Sequence, residues 1–209
     1  MVDSGVFFLG GSPCCGKSHV AEILAEGYDL AHYQIDIKMG EAMRTLDPER
    51  YPNLVRWWAM RSDARWLQSQ ERLMDDVLAC YREQFDWVLA DIEETTCDAL
   101  LLVEGSPLLP SWLSERKGPR VRAAWMVPSE AFQREHYGRR AFVAPFLGDC
   151  SDPEQAFENW MRRDAAYAQL VTEQTGALDL PLLVVDGGDS VGDAAAWVAR
   201  RLGLGAGTR

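Results

Sequence analysis

Gly11-Ser12-Pro13-Cys14-Cys15-Gly16-Lys17-Ser18 sets a glycine, four residues, a second glycine, a lysine and a serine in a row. That spacing suits the cradling of a chain of phosphates. Glycine lets the backbone come close to an anion, successive amides turn inward, and the N-terminus of a following helix adds partial positive charge. In such a loop Lys17 brings a point charge to the terminal phosphates, and the Ser18 hydroxyl is a ligand for Mg²⁺. The expected contacts to ATP and Mg²⁺ are therefore Gly11, Ser12, Pro13, Cys14, Cys15, Gly16, Lys17, Ser18 and His19. A chance match in a glycine-rich turn is the alternative, and the flanks argue against it. Val6-Phe7-Phe8-Leu9 is a short apolar run of the buried-strand kind, and His19 to Glu26 is a good helix sequence with Val20, Ile23 and Leu24 on one face.

Phosphoryl transfer also needs groups that position a nucleophile and hold a metal. Asp36 and Glu104 each close an apolar segment, Ala31 to Ile35 and Leu100 to Val103. Asp36 is assigned as the base or acceptor-hydroxyl binder and Glu104 as the metal-shell ligand, and the two roles are interchangeable at this level. The competing reading is that either acid caps a turn, or that Lys38 pairs with Asp36. Arg134, Arg139 and Arg140 precede a stretch with Gly138, Pro145 and Gly148; Arg162 and Arg163 follow. Arginine binds phosphate oxygens with a planar fork, so a mobile arginine segment can close over a triphosphate, Arg139 acting on the transferred group. Ordinary surface pairs with Glu130, Glu135 or Glu158 are the plainer alternative. Arg56, Trp57 and Arg61, with Arg140 and Arg163, are candidates for the acceptor, since aromatics stack on rings and arginines take carboxylate or phosphate. Trp57 and Trp58 are adjacent, so a helix cannot bury both on one face.

Elements that would carry these residues follow from pattern. Lys38 to Leu46 is helix-compatible until Asp47-Pro48 and Tyr51-Pro52. From Asn53 to Glu104 there is neither Gly nor Pro, and Trp66, Gln70, Leu73, Val77, Tyr81 with Leu67, Met74, Leu78 and Phe85 keep a helical period over some five turns. Trp87 to Glu94 continues or restarts that helix. Val121 to Val127 reads as a strand, Ser129 as the cap of a helix over Glu130 to Tyr137, and 138–151 as a loop. Asp152-Pro153-Glu154 opens a helix reaching about Thr175. Leu182 to Val185 is the last strand; Asp186-Gly187 turns into a closing helix with Val191, Ala194, Ala195, Val198 and Leu202 on one stripe, and 203–209 should fray. Apolar strands alternating with helices predict an α/β fold with a parallel sheet covered on both faces, with ligands at the strands' C-terminal edge.

Composition narrows the class. At 209 residues, 47% hydrophobic and 25% charged, the chain is expected to form one soluble domain, residues 1–209. A net charge of −11 disfavours nucleic acid and anionic membrane as partners. Between Trp112 and Arg163, nine Lys and Arg stand against seven Asp and Glu, a local basic excess. Five cysteines at 14, 15, 80, 97 and 150 show no C-x-x-C spacing, and two sit in the phosphate loop. With no basic-apolar leader and no long apolar run, the expectation is the cytoplasm, without disulfides or a zinc site.

The loop motif, Asp36, Leu101-Leu102-Val103-Glu104-Gly105, the arginines of 134–140 and Val184-Val185-Asp186-Gly187 together resemble the nucleotide and small-molecule kinase group of P-loop proteins. The resemblance spans nearly the whole chain in element order, and the phosphate motif is its specific part. It implies a three-layer fold with a five-stranded parallel sheet, a helical acceptor-side insertion at 40–98, and an arginine-bearing lid at 138–151. It also implies that Asp186 and Gly187 lie near the adenine. Many members carry a second acid after the one at Asp36, where this chain has Ile37, and no complete signature for nucleoside monophosphates, shikimate, gluconate or adenylylsulfate is present. The functional expectation is an ATP:small-molecule kinase, the acceptor a nucleoside-like or antibiotic-like hydroxyl compound, working as monomer or homodimer. A nucleotide-gated binding module with little turnover is the other reading; a hydrolase lacks a residue that stands out to position water.

Overall fold

The structure, a computed structural model, describes residues 5–94, 100–117 and 121–205. Five strands form one parallel sheet in the order β2-β3-β1-β4-β5: β1 is Val6–Gly11, β2 Ala31–Gln34, β3 Leu101–Glu104, β4 Ala123–Pro128 and β5 Leu182–Val185. Side chains alternate across the central strand. Phe7 and Leu9 enter one core with helices α1 (Lys17–Tyr28) and α10 (Val191–Leu202). Phe8 enters the other, with α5 (Gln70–Glu94), α6 (Pro110–Lys117) and α9 (Pro153–Ala177). Burial on both faces is why the inner strands β1, β3 and β4 read as continuous apolar runs. This is the expected three-layer α/β architecture.

The topology places the ligand edge. From β1 the chain crosses by α1 to β2, and from β3 it crosses back over β1 to β4. The C-terminal ends of β1 and β3 thus form a switch point, where open α/β sheets bind ligands. Register aligns Leu9 with Glu104, so the loop leaving β1 begins beside that carboxylate.

Several sequence-based expectations shift. β1 runs on to Gly11, and β2 stops at Gln34, so that Asp36 lies in the first turn of α2 (Ile35–Ala42). Up to Glu94 the stretch without Gly or Pro is divided among three helices, α3 (Pro52–Ala59), α4 (Ser62–Trp66) and α5, and it ends in β3. The break has a mechanism. Met60 and Arg61 are extended, and Arg65 donates to the carbonyls of Trp58 and Met60, while Ser69 Oγ accepts from the Arg72 amide at the start of α5. Trp66 and Leu67 therefore lie outside the long helix, which Trp87 to Glu94 continues without a break.

Helix α6 lacked a sequence expectation, although Pro110 is its first residue, a position proline favours. Ser129 caps α7 (Glu130–Gly138), and Asp152 caps α9, as anticipated. Within 138–151 there is a short helix, α8 (Val143–Leu147), whose Val143 and Leu147 are buried, so this stretch is not all loop. On α10 the buried stripe holds Ala194, Ala195, Val198 and Leu202, while Val191 is exposed. Gly203 to Gly205 do not fray: Gly203 is a left-handed cap and Leu204 is buried with its amide on the Ala199 carbonyl. The expectation for 206–209 lies outside the described residues, as does Cys97; the other four cysteines are free and buried. Among the described residues no helix is long and apolar enough to cross a membrane.

Candidate active site

Backbone geometry at the end of β1 shapes the loop. Gly11 has φ +126°, and a Cβ there would lie against the Met126 carbonyl of β4, so both conformation and space demand glycine. The Ser12 amide donates to that same carbonyl at 3.1 Å, and Ser12 Oγ donates to the Asp164 carbonyl of α9 at 3.2 Å. Cys14 (φ 68°) and Gly16 (φ 81°, the N-cap of α1) are left-handed, interrupting the chain so that neighbouring amides converge. The first amides of α1 have no intrahelical acceptor and add to that concavity. Cys15 packs beneath the loop, its Sγ 3.1 Å from the Ser12 carbonyl and 3.3 Å from the Met126 carbonyl. Burial pushes both the Cys14 and Cys15 thiols up, which keeps them neutral beside an anion site.

Lys17 is only 6% exposed. Its Nζ donates to the Ser12 carbonyl at 2.7 Å and lies 3.5 Å from Ser106 Oγ, so the ammonium is pinned at the mouth of the loop. Glu104, equally buried, ends β3 beside it. Burial raises the Glu104 carboxyl above the ordinary range; Lys17 opposes this, Asp36 reinforces it, and a hydrogen bond from Ser18 lowers it. A buried carboxylate on the same cleft as the loop lysine and serine is an arrangement that a divalent cation would favour.

A cleft of roughly 780 Å³ collects these groups. Pro13, Cys14, Gly16, Lys17, Ser18 and His19 line it from the loop, Asp36 from α2, Glu104 and Ser106 from the β3 end, and Arg140 and Arg163 from the segments after α7 and within α9. Tyr81, Tyr137, Phe142 and Trp160 complete its walls, and sequence reasoning had singled out none of the four as site residues. The helical period also puts Tyr81 on a core stripe, and it packs against the core on that side of the sheet. Behind the loop, a smaller cavity of about 90 Å³ touches Cys15, Gly16, Val20, Phe132, Asp186 and Gly187.

The interior of the cleft is polar and ordered. Asp164 accepts from Arg163 Nε (2.8 Å) and Nη2 (2.6 Å) on one oxygen, and from Tyr137 OH (3.1 Å) and Trp160 Nε1 (3.0 Å) on the other. Burial first, then the Asp164 charge, holds Tyr137 well above the usual phenol range, so it remains a donor. Nothing in the sequence distinguished Asp164 from the many acids of helical segments.

Five candidates are placed elsewhere. Arg134 is held by Glu130 (3.2 Å) and Glu158 (2.8 Å), and the exposed Arg139 by Glu135 (2.7 Å). The plainer reading, surface ion pairs, applies to both, because carboxylates one turn away on α7 reach them first. Arg56 pairs with the buried Asp76 of α5 at 2.7 Å and serves the insertion's own packing. Trp57 packs edge-on to Trp66 at 5.5 Å in an aromatic cluster, leaving Trp58 exposed, and Arg61 lines a separate surface hollow with Asp63 and Asp149. Lys38 pairs with Glu41 rather than Asp36. No group of three metal-ligating side chains occurs among the described residues.

No protein-family description and no curated protein matches the sequence. Solved structures of similar outline include an uncharacterised protein from Eubacterium ventriosum (14% identity, TM-score 0.47, 96% of this chain and 99% of that one). Two others are shikimate kinases. That from Acinetobacter baumannii has 14% identity and TM-score 0.48, over 94% of this chain and 91% of the other. That from Aquifex aeolicus has 15% identity and TM-score 0.46, over 95% and 96%. At such identities a neighbour's acceptor says nothing about the acceptor here.

Proposed function

We propose that this protein is an ATP-dependent phosphotransferase that moves the γ-phosphoryl group to a hydroxyl of a small metabolite. The observation that carries the reading is the meeting of Lys17, Ser18, Glu104 and Asp36 on one cleft, at the switch point of the sheet. The loop amides and Lys17 bind the phosphate chain, and Asp186 and Gly187, across the loop, border the space for the base. Ser18 and Glu104 suit Mg²⁺, which takes one or two protein oxygens and completes its shell with water and phosphate. Held by these two residues, Mg²⁺ would supply positive charge against the phosphate oxygens.

The two carboxylates divide by environment. Glu104 is buried and lines the cleft together with Ser18, which fits a metal-side role. Asp36 is exposed in the first turn of α2 and lines the same cleft, so it is free to orient the acceptor hydroxyl and take its proton. Arg140, on the segment after α7, is the lid residue placed to donate to the transferred group. In this reading 40–98 forms the acceptor side and 138–151 the lid of a single kinase-like domain. The test is incubation with ATP, Mg²⁺ and a panel of hydroxylated metabolites, followed by mass spectrometry. A product heavier by one phosphoryl group supports the reading; steady phosphate release with every acceptor unchanged overturns it.

A further inference from the structure

The cleft holds one guanidinium that the phosphate-binding loop does not account for. Arg163 lies on α9, its side chain 7% exposed, and lines the cleft. Among the described residues its hydrogen bonds use Nε and Nη2, both on Asp164 Oδ1. Nη1 makes no hydrogen bond among the described residues, and the residue lines the cleft. Asp164 is itself saturated, with Tyr137 and Trp160 on its second oxygen, and its carbonyl takes Ser12 Oγ. The carboxylate therefore aims the guanidinium and has no capacity left to claim the rest of it. The plane is fixed on its other face too, with the Trp66 ring 5.1 Å from the guanidinium carbon. Such a preset fork binds an oxyanion with little further loss of side-chain freedom.

Its neighbours place it on the acceptor side. Tyr81, on α5 of the proposed acceptor-side insertion, lines the cleft together with Arg163 and Asp36, and Trp66, the ring under the guanidinium, belongs to the same insertion. Arg140 reaches the same cleft, its guanidinium over Tyr137 at 5.1 Å and Phe142 at 5.9 Å. With Arg140 assigned to the transferred phosphoryl group, Arg163 remains for the acceptor; a neutral polyol gains little from a preset guanidinium, whereas a hydroxyl compound with a carboxylate or phosphate ester gains a charge-assisted contact. Resting on the phosphotransferase reading, we infer that the acceptor is an anionic hydroxy compound whose oxyanion is seated on Arg163, with Asp164 as the residue that positions the fork.

Calorimetry on the full chain separates this inference from the reading beneath it. A first titration with Mg²⁺ and a non-hydrolysable ATP analogue tests the phosphate loop; no heat there removes the loop reading, and the second titration is then run on the free protein. The second titration adds glycerate, gluconate and glycerol 3-phosphate in separate arms, against glycerol, glucose and uridine. With the loop filled, acidic probes should bind and neutral ones should not, and the carboxylate and phosphate arms tell which anion is preferred. Arg163→Gln should weaken the acidic probes about 10- to 100-fold while leaving the analogue's affinity within about twofold. Arg163→Lys, which keeps Asp164 compensated if the first variant misfolds, should recover part of the loss. Neutral probes binding as well as acidic ones, no acidic probe binding, or loss of the nucleotide analogue instead of the probe in either variant overturns the inference.

Discussion

Asp164→Asn probes the buried node that joins α7, α9 and the phosphate loop. The wild-type pair with Arg163 has side chains 2% and 7% exposed, so water compensates neither charge. Breaking a buried pair by neutralising one member costs about 3–5 kcal/mol. The amide also lacks one acceptor position. All four contacts to the carboxylate come from donors, two from Arg163 at 2.8 and 2.6 Å and one each from Tyr137 and Trp160 at 3.1 and 3.0 Å. Whichever way the amide turns, its NH₂ faces a donor, a conflict of about 1–3 kcal/mol. The two costs overlap because both describe the same lost charge, so about 4 kcal/mol is the expected total. For a chain of this length each kcal/mol moves the melting midpoint by about 2–4 °C, which places the fall at about 8–16 °C. Thermal unfolding followed by circular dichroism, with urea titration to check the slope, reads this directly. Tyr137→Phe calibrates it: one neutral donor at 3.1 Å is removed, and the midpoint should drop by only about 2–4 °C. If Asp164→Asn melts within about 3 °C of wild type, the carboxylate is not the buried hub described, and the aiming of Arg163 loses its basis.

Three further outcomes follow from the same structure. Lys17→Ala removes the charge held at the loop mouth and should lower kcat/KM about 30- to 900-fold, roughly 2–4 kcal/mol, in a coupled ADP-release assay; a near-normal rate would mean phosphates do not sit on this loop. Glu104 has a raised folded-state pKa, so the native protein holds a proton that the unfolded chain releases, and stability falls as pH rises from the ordinary carboxylate range through the raised value. Glu104→Gln should remove that slope, melting higher than wild type at neutral pH and above without nucleotide while losing turnover; parallel stability curves would refute the raised value. Gly11→Ala puts a Cβ on the Met126 carbonyl at φ +126° and should cost at least about 3 kcal/mol, seen as a lower urea midpoint or insoluble protein; a soluble variant of wild-type midpoint would contradict the β1–β4 geometry.

The chemistry of the loop was readable because it is local: eight consecutive residues specify the backbone path, the charge and the hydroxyl. Strand–helix alternation was readable for the same reason, since Phe7, Phe8 and Leu9 carry their own burial pattern. Boundaries were less so. The break between α3, α4 and α5 depends on Arg65 reaching the carbonyls of Trp58 and Met60, which no helix propensity encodes. The arginines show the limit most clearly. Arg134, Arg139, Arg140 and Arg163 are alike as letters, and only packing sorts them. Glu130, Glu158 and Glu135 capture the first two, whereas Arg140 and Arg163 keep a face on the cleft. Asp164 and Tyr137 meet across 27 residues, and Ser12 and Asp164 across 152. Which donors surround a buried carboxylate is settled by long-range packing, because its desolvation cost must be met by whatever the tertiary fold brings within hydrogen-bonding distance.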